Sequence, residues 1–247
     1  MNIDYIEQGD CLELMKAIPD KSVDLIICDL PYGLTQNKND IVIPFDPLWK
    51  QYERVAKDHA AICLFGQGRF FIDLVDSKRE LYRYDLVWDK ELVTGFLNAN
   101  RMPLRRHEQI AVFYKCLPVY HPQFTHGRPL HSKGTAYRQS PGKNRNYGFF
   151  EQTDDIRAGS TEKHPTSILR FAKPHPSLAV HPTQKPVELL KYLIRTYSDA
   201  GALVLDNCMG SGSTCVAAIN TGRHYIGFEL NPNYYEIAKK RIEETKQ

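Results

Sequence analysis

Two short stretches of the 247-residue chain combine residue types at spacings suited to chemistry. The first is Asp29-Leu30-Pro31-Tyr32, which closes the apolar run from Val23 to Cys28. Proline lacks a backbone N–H and fixes φ, so Pro31 stops the run and locks a turn. Such a turn can direct the Asp29 carboxylate, a backbone carbonyl and the Tyr32 ring into one pocket. A planar base with an exocyclic amine suits that set, because its amine donates to both oxygens while the ring stacks, as for a base taken out of a duplex. In isolation the same four residues also read as an ordinary β-turn with Tyr32 as packing.

The second stretch, Asp206-Asn207-Cys208-Met209-Gly210-Ser211-Gly212-Ser213-Thr214, runs from an apolar segment through a glycine turn into a helical one. Glycines let a ligand approach the backbone closely, and Ser213 and Thr214 are candidate helix caps. Glu229 ends the next apolar run, 19 positions after Gly210, where a carboxylate can accept both hydrogen bonds of a ribose diol. The turn lacks the third glycine of the dinucleotide fingerprint, and no Lys follows its second glycine as in a phosphate-binding P-loop. Turn, helix, strand and terminal acid together favour a nucleoside-bearing ligand over a plain turn.

These groups need a scaffold, and the flanking pattern supplies one. Short apolar runs at 23–28, 60–65, 84–88, 110–114, 202–205 and 225–228 read as strands covered on both faces. Helical lengths and spacings occupy 47–57, 67–78, 186–197, 213–220 and 233–244. Strands separated by helices predict an α/β fold with a doubly wound, mostly parallel sheet. In such sheets ligands sit at the carboxyl ends of the strands, which is where the chemical stretches fall.

Composition excludes several classes. Hydrophobic residues make up 42% and charged residues 25%, as in ordinary globular proteins. No apolar run approaches the roughly 18 residues that span a bilayer. The N-terminal MNIDYIEQGD lacks the regions of a signal peptide, so a cytoplasmic location is expected. The six cysteines, at 11, 28, 63, 116, 208 and 215, form no C-x-x-C pair, and the nine histidines show no helical ligand spacing, so no metal site is expected. The net charge is +3. From Cys116 to Val180 nine basic residues face four acidic ones, a surplus of five, which leaves the rest of the chain at −2. That stretch, with Arg128, Lys133, Arg138, Lys143 and Arg145 among interleaved aromatics and no acid before Glu151, can follow a phosphate backbone or be a solvated surface loop.

The D-L-P-Y turn with L-D-N-C-M-G-S-G-S-T far downstream resembles the S-adenosylmethionine-dependent amino-methyltransferases of DNA. Further matching stretches are Gly9 to Glu13, Leu64 to Gly66, Val87 to Lys90, Arg106 to Phe113, the specific block His181-Pro182-Thr183-Gln184-Lys185-Pro186, and Tyr225 to Asn231. The order, with the catalytic turn first and the glycines near the C-terminus, is that of the permuted "beta" group. The resemblance covers about residues 5–115 and 181–242. It implies a Rossmann-like catalytic and cofactor domain over 1–115 and 181–247, with a target-recognition insert at 116–180.

By resemblance, Asp29, Leu30, Pro31 and Tyr32 form the catalytic turn, and Asp29 also borders the cofactor. S-adenosylmethionine would be held by Asp10, Cys11, Thr183, Lys185, Asp206, Gly210, Ser211, Gly212, Ser213, Thr214, Glu229, Leu230 and Asn231. Lys185, before Pro186, also reads as a charge at a helix start. The basic residues of the insert would contact double-stranded DNA. A homodimer, common in the group, and a cognate restriction endonuclease are partners that the resemblance leaves open. Asp at the first turn position favours adenine N6 over cytosine N4. Methylation at cytosine C5 needs a Pro-Cys nucleophile, and no such dipeptide occurs. A non-catalytic DNA-binding protein on the same fold would have lost Asp29, Tyr32 or the glycine turn, and all three are present. Two positions depart from the family pattern: Leu30 stands where a first proline is usual, and Asn207-Cys208 replaces Pro-Phe.

Overall fold

The computed structural model describes residues 2–33, 40–129, 159–173 and 184–247. They fall into two compact units, residues 1–121 with 167–247, and residues 122–166.

The larger unit is built on one eight-stranded sheet. Its strands are β1 (Tyr5–Gln8), β2 (Val23–Cys28), β3 (Ala56–Gly66), β4 (Tyr82–Thr94), β5 (Arg105–Phe113), β8 (Ile168–Arg170), β9 (Leu203–Asp206) and β10 (His224–Glu229), in the order β1-β10-β9-β2-β3-β5-β4-β8. Five of the seven pairings are parallel; β5 runs antiparallel to both β3 and β4. The expected alternation of strand and helix therefore breaks between β4 and β5, which join as a long hairpin.

Side chains alternate across the pleat and both faces are buried, which explains the nearly continuous apolar runs. Ile26 and Cys28 of β2, with Ile62 and Leu64 of β3, meet the helices α1 (Cys11–Leu14), α2 (Phe45–Val55) and α3 (Gly68–Asp76) on one face. Leu25 and Ile27, with Cys63 and Phe65, meet α4 (Val187–Tyr197), α5 (Ser213–Asn220) and α6 (Pro232–Lys246) on the other. From β2 the chain crosses by α2 to its neighbour β3. From β9, on the opposite side of β2, it crosses by α5 to β10. The two connections diverge from adjacent strands, so a crevice opens at the carboxyl ends of β2 and β9.

In the smaller unit, β6 (Thr125–His126) pairs antiparallel with β7 (Glu162–Lys163). This unit is shorter than the 116–180 stretch set apart by composition. His121 donates its N–H to the Thr196 carbonyl at 2.8 Å, Leu169 is buried, and β8 lies beside β4, so both ends of the stretch belong to the larger unit. A three-residue edge strand is too short to stand out in a basic, loop-like sequence. Among the described residues no helix is long and apolar enough to cross a membrane.

Gly212 opens α5 with φ +75°, and a Cβ there would lie 3.0 Å from Ala238 Cβ and 3.3 Å from its Cα. The left-handed conformation alone costs an L-residue roughly 1–2 kcal/mol, and the contact with α6 adds to it. Gly212→Ala is therefore expected to lower the unfolding free energy by at least that amount. Urea denaturation checks this, and an unchanged midpoint would contradict it.

Candidate active site

Four loops meet at the crevice, each at the carboxyl end of a parallel strand. They are 9–12 after β1, 29–32 after β2, 206–214 after β9 and 229–231 after β10. They line one cavity of about 650 Å³, within the range of small-molecule and cofactor sites. Asp10, Cys11, Asp29, Leu30, Pro31, Tyr32, Lys185, Asp206, Gly210, Ser211, Ser213, Thr214, Glu229 and Leu230 all reach its wall.

Asp29 sits at the centre of a chain of buried charges. Lys185 Nζ donates to Asp29 Oδ2 at 2.7 Å and lies 3.0 Å from Glu108 Oε2. The second contact is a charge contact outside hydrogen-bond alignment. Lys90 Nζ approaches Glu108 Oε1 at 3.3 Å. The side chains of Lys90, Lys185 and Glu108 are 5%, 8% and 12% exposed, so little water screens them. The rings of Phe65 and Trp88 flank Lys185, with their centroids 5.0 and 5.7 Å from Nζ.

Burial pushes the Asp29 pKa above its ordinary value, and Lys185 works against that rise. Burial also disfavours the Glu108 carboxylate, but Lys185 and Lys90 prevail and hold its pKa below the usual range. Burial disfavours the Lys185 ammonium, yet Asp29 and Glu108 raise its pKa. Lys185 is thus a standing cation, and the resulting alternation of charges positions the Asp29 carboxylate.

Tyr32 donates its hydroxyl to Asp29 Oδ1 at 2.7 Å, and its ring stacks on Phe70 with centroids 4.7 Å apart. A carboxylate offers about four lone-pair sites, so after Tyr32 and Lys185 it retains capacity for an incoming amine. The Leu30 side chain is buried in the core. Leu30 also lines the cavity, so its backbone carbonyl is available there whatever the side chain.

The cofactor half is carboxylate-rich. Glu229 Oε2 accepts from Gly210 N–H at 2.9 Å, and Oε1 from Asn231 N–H at 2.8 Å. These bonds tie the end of β10 to the glycine turn. Burial raises the Glu229 pKa and the backbone donors oppose it. Asp10 caps α1 by accepting from Leu12 N–H at 2.8 Å. Asp206, buried beneath the turn, accepts from Cys208 N–H at 3.1 Å, and burial pushes its pKa up to about 7. Gly227 in β10 makes room for this turn, since a Cβ there would come 2.5 Å from Met209 Sδ.

The contacts of several expected site residues differ from those anticipated. Gly212 and Asn231 are not among the residues that line the cavity. Gly212 faces Ala238, and the Asn231 side-chain Oδ1 caps α6 by accepting from Asn233 N–H at 2.9 Å and Tyr234 N–H at 3.4 Å. Neither Ser213 nor Thr214 caps α5. The chain enters that helix left-handed, so the capping position falls to Gly212. Lys185 is bonded to the catalytic turn, 156 positions away in sequence, and pairs with none of the acids on the cofactor side. Arg128 is exposed in the smaller unit. Thr183, Lys133, Arg138, Lys143 and Arg145 lie outside the described residues.

Sequence reasoning passed over Glu108 and Lys90. Each sits among polar neighbours, His107 and Gln109 for Glu108 and Asp89 and Glu91 for Lys90, so no local pattern marks them out. Sequence reasoning also lacked an account of Asn207 and Cys208. Tyr52 OH donates to Asn207 Oδ1 at 2.6 Å in the core, and the Asn207 amide reaches Cys11 and Cys208 Sγ at 3.5 Å each. Asn207 thereby fastens the glycine turn to α2 and α1. Among the described residues no group of His, Cys, Asp and Glu is arranged to hold a metal.

Doubly wound α/β folds hold nucleotide-type ligands in the crevice at this switch point, where the acids of this chain gather. The family model described as DNA methylase matches residues 23–240, so the chain belongs to the N6/N4 DNA methylase family. The DNA adenine methyltransferase YhdJ of Escherichia coli (strain K12) is 27% identical over 263 aligned positions, covering 96% of this chain and 82% of that protein. Two solved structures share the fold. M1.HpyAVI in its SAM complex has a TM-score of 0.61 at 23% identity, over 96% of this chain and 98% of that one. The cytosine-N4-specific PvuII DNA methyltransferase has a TM-score of 0.69 at 15% identity, over 100% and 91%.

Removing the Lys185 charge should raise the Asp29 pKa further. The acid limb of the methyl-transfer pH profile is expected to move to higher pH in Lys185→Met, with Lys185→Arg returning it toward wild type. Measuring kcat against pH for the three proteins decides it. An unshifted limb would mean that Lys185 does not govern the charge of Asp29.

Proposed function

We propose that the protein transfers the methyl group of S-adenosylmethionine to the exocyclic N6 of adenine in double-stranded DNA. The observation that carries the reading is the Asp29 carboxylate, held by Lys185 and Tyr32 in the same cavity as Glu229 and Asp10.

The residues present fit the cofactor. Carboxylates at Glu229 and Asp10 suit hydroxyl and amine donors, and backbone at Gly210 leaves room for close approach. The Glu229 carboxylate, with Asp10 on the same wall, also suits the positive charge of a sulfonium. When bound, S-adenosylmethionine supplies an electrophilic methyl group on that sulfonium.

Asp29 and the Leu30 carbonyl accept the two amine hydrogens, directing the nitrogen lone pair out of conjugation and toward the methyl group. With S-adenosylmethionine bound, its methyl group would be the electrophile and its thioether the leaving group, and Asp29 would take the surplus amine proton. Tyr32 offers its ring to the base and its hydroxyl to Asp29. Placement and preorganised charge account for the rate. Residues 116–180 act as the target-recognition region, with Arg128, Lys133, Arg138, Lys143 and Arg145 along the phosphates.

Adenine is favoured by Asp29 at the first turn position and by the YhdJ relative, named as an adenine methyltransferase. Cytosine N4 is the second reading, favoured by the likeness to the PvuII enzyme. Tritiated methyl transfer to unmethylated genomic DNA, followed by nucleoside analysis, separates them. N6-methyladenine is expected, and N4-methylcytosine would replace the first reading with the second.

Asp29→Asn should lower kcat by about 10²–10³, the scale of losing one preorganised electrostatic partner, while calorimetric S-adenosylmethionine affinity stays within twofold. Near wild-type turnover would remove Asp29 from the mechanism. Glu229→Gln should do the reverse and weaken cofactor binding by about 10–100-fold, the scale of a hydrogen bond to a charged group. Titration calorimetry reads it, and unchanged affinity would count against the ribose contact.

A further inference from the structure

Among the described residues, the two most exposed large apolar side chains of the larger unit, Phe96 and Leu97, lie on the β4–β5 hairpin with Met102 close by. Phe96 is 81% exposed, Leu97 96% and Met102 59%. A soluble surface does not ordinarily gather such residues on one projecting tip. The tip is well formed, with Asn98 N–H donating to the Gly95 carbonyl at 2.9 Å and Met102 N–H to the Asn98 carbonyl at 3.0 Å. Its base is pinned where Arg106 pairs with Asp89 at 2.7 Å and Glu91 N–H donates to Asp89 at 3.0 Å. The register shifts between Asp89 and Thr94, and Glu91 has φ 56°, so the projecting part is re-aimed as by a bulge.

The topology fixes where this tip lies. Cys28, just before Asp29, is level with Leu64, and Gly66 of the same strand is level with Gln109. Arg105, paired with Thr94, is four residues further out. At about 3.3 Å per residue the hairpin stands roughly 13 Å beyond the sheet edge. β5 and β4 are two and three strands from β2, about 10 to 14 Å to the side at roughly 4.8 Å per strand. That offset is on the scale of a B-DNA groove, about 12 Å wide. Exposed Arg101 and Arg105 flank the apolar tip, and Glu91 is the one acid from 91 to 106.

We propose that Phe96 and Leu97 at the hairpin tip form a wedge that enters the base stack beside the target nucleotide, with Arg101 and Arg105 on the neighbouring phosphates. The inference rests on the DNA methyltransferase reading above. Extruding a base costs stacking and pairing energy, and apolar side chains placed between base steps are one way proteins offset it. The wedge therefore acts before methyl transfer and touches neither cofactor nor reacting atoms. A second copy of the chain would also cover an apolar tip, but the flanking arginines and the position at the active-site end of the sheet favour DNA.

The test uses the full chain and a duplex carrying the motif found methylated in the genome of an expressing host, with 2-aminopurine in place of the target adenine. Wild-type protein should raise the fluorescence on binding. In the double variant Phe96→Ala with Leu97→Ala, both exposed sites that leave folding intact, the rise should largely vanish. Its kcat/KM for paired duplex should fall by about tenfold, the scale of lost help with unstacking. On a duplex mismatched opposite the target, where extrusion is already cheap, the loss should shrink to less than twofold, and calorimetric S-adenosylmethionine affinity should be unchanged. Equal losses on both duplexes, or none, would overturn the wedge. So would sedimentation in which Leu97→Asp turns a dimer into a monomer while the fluorescence rise persists. A wild-type protein that methylates no DNA at all would instead overturn the underlying reading, and the wedge with it.

Discussion

The alternation Asp29–Lys185–Glu108–Lys90 is the interaction on which the rest of the site depends. Its members come from the turn after β2, the segment before α4, β5 and β4, so it ties together parts of the chain far apart in sequence. Burying such charges is costly, and each is tolerable only because the next compensates it. Two carboxylates and two ammoniums balance, and removing any one would strand its neighbour. The return for that cost is position. Asp29 cannot rotate away without leaving Lys185 unpaired, so its carboxylate faces the cavity in a fixed orientation.

The same logic governs the floor of the cofactor half. Asp206 is buried and anionic only with difficulty, and the glycine turn is folded over it by bonds from Cys208 and Thr214. Asn207 extends this layer to Tyr52 on α2, and its amide approaches the thiols of Cys11 and Cys208. The Asn-Cys pair that departs from the family pattern thus forms a polar tie across two helices. Glu229 completes the layer by joining β10 to the turn.

Charge is distributed to match these roles. Outside residues 116–180 the chain carries a net charge of −2, while the surplus of basic residues lies between 116 and 180. The sheet topology adds one more projecting element at its carboxyl edge, the β4–β5 hairpin. A doubly wound fold would have been complete without so long an extension. Its length becomes intelligible once the sheet's carboxyl edge is read as the surface that receives a duplex.

Much of this was readable in the chain itself. Apolar runs marked β2, β3, β9 and β10, since strands buried on both faces leave no polar position to hide them. Proline and glycine marked the two functional turns, since both residues act through local backbone geometry. Asp29 and Glu229 stood out as acids at strand ends. Tertiary structure alone decided the rest. The antiparallel β5, the three-residue β8 and the pairing of Lys185 with Asp29 across 156 positions depend on contacts between distant segments. So does the demotion of Gly212 and Asn231 to support. Local pattern records what a backbone can do within a few residues. Which buried charge meets which is set by the packing of the whole sheet, and that is where Glu108 and Lys90 acquire their meaning.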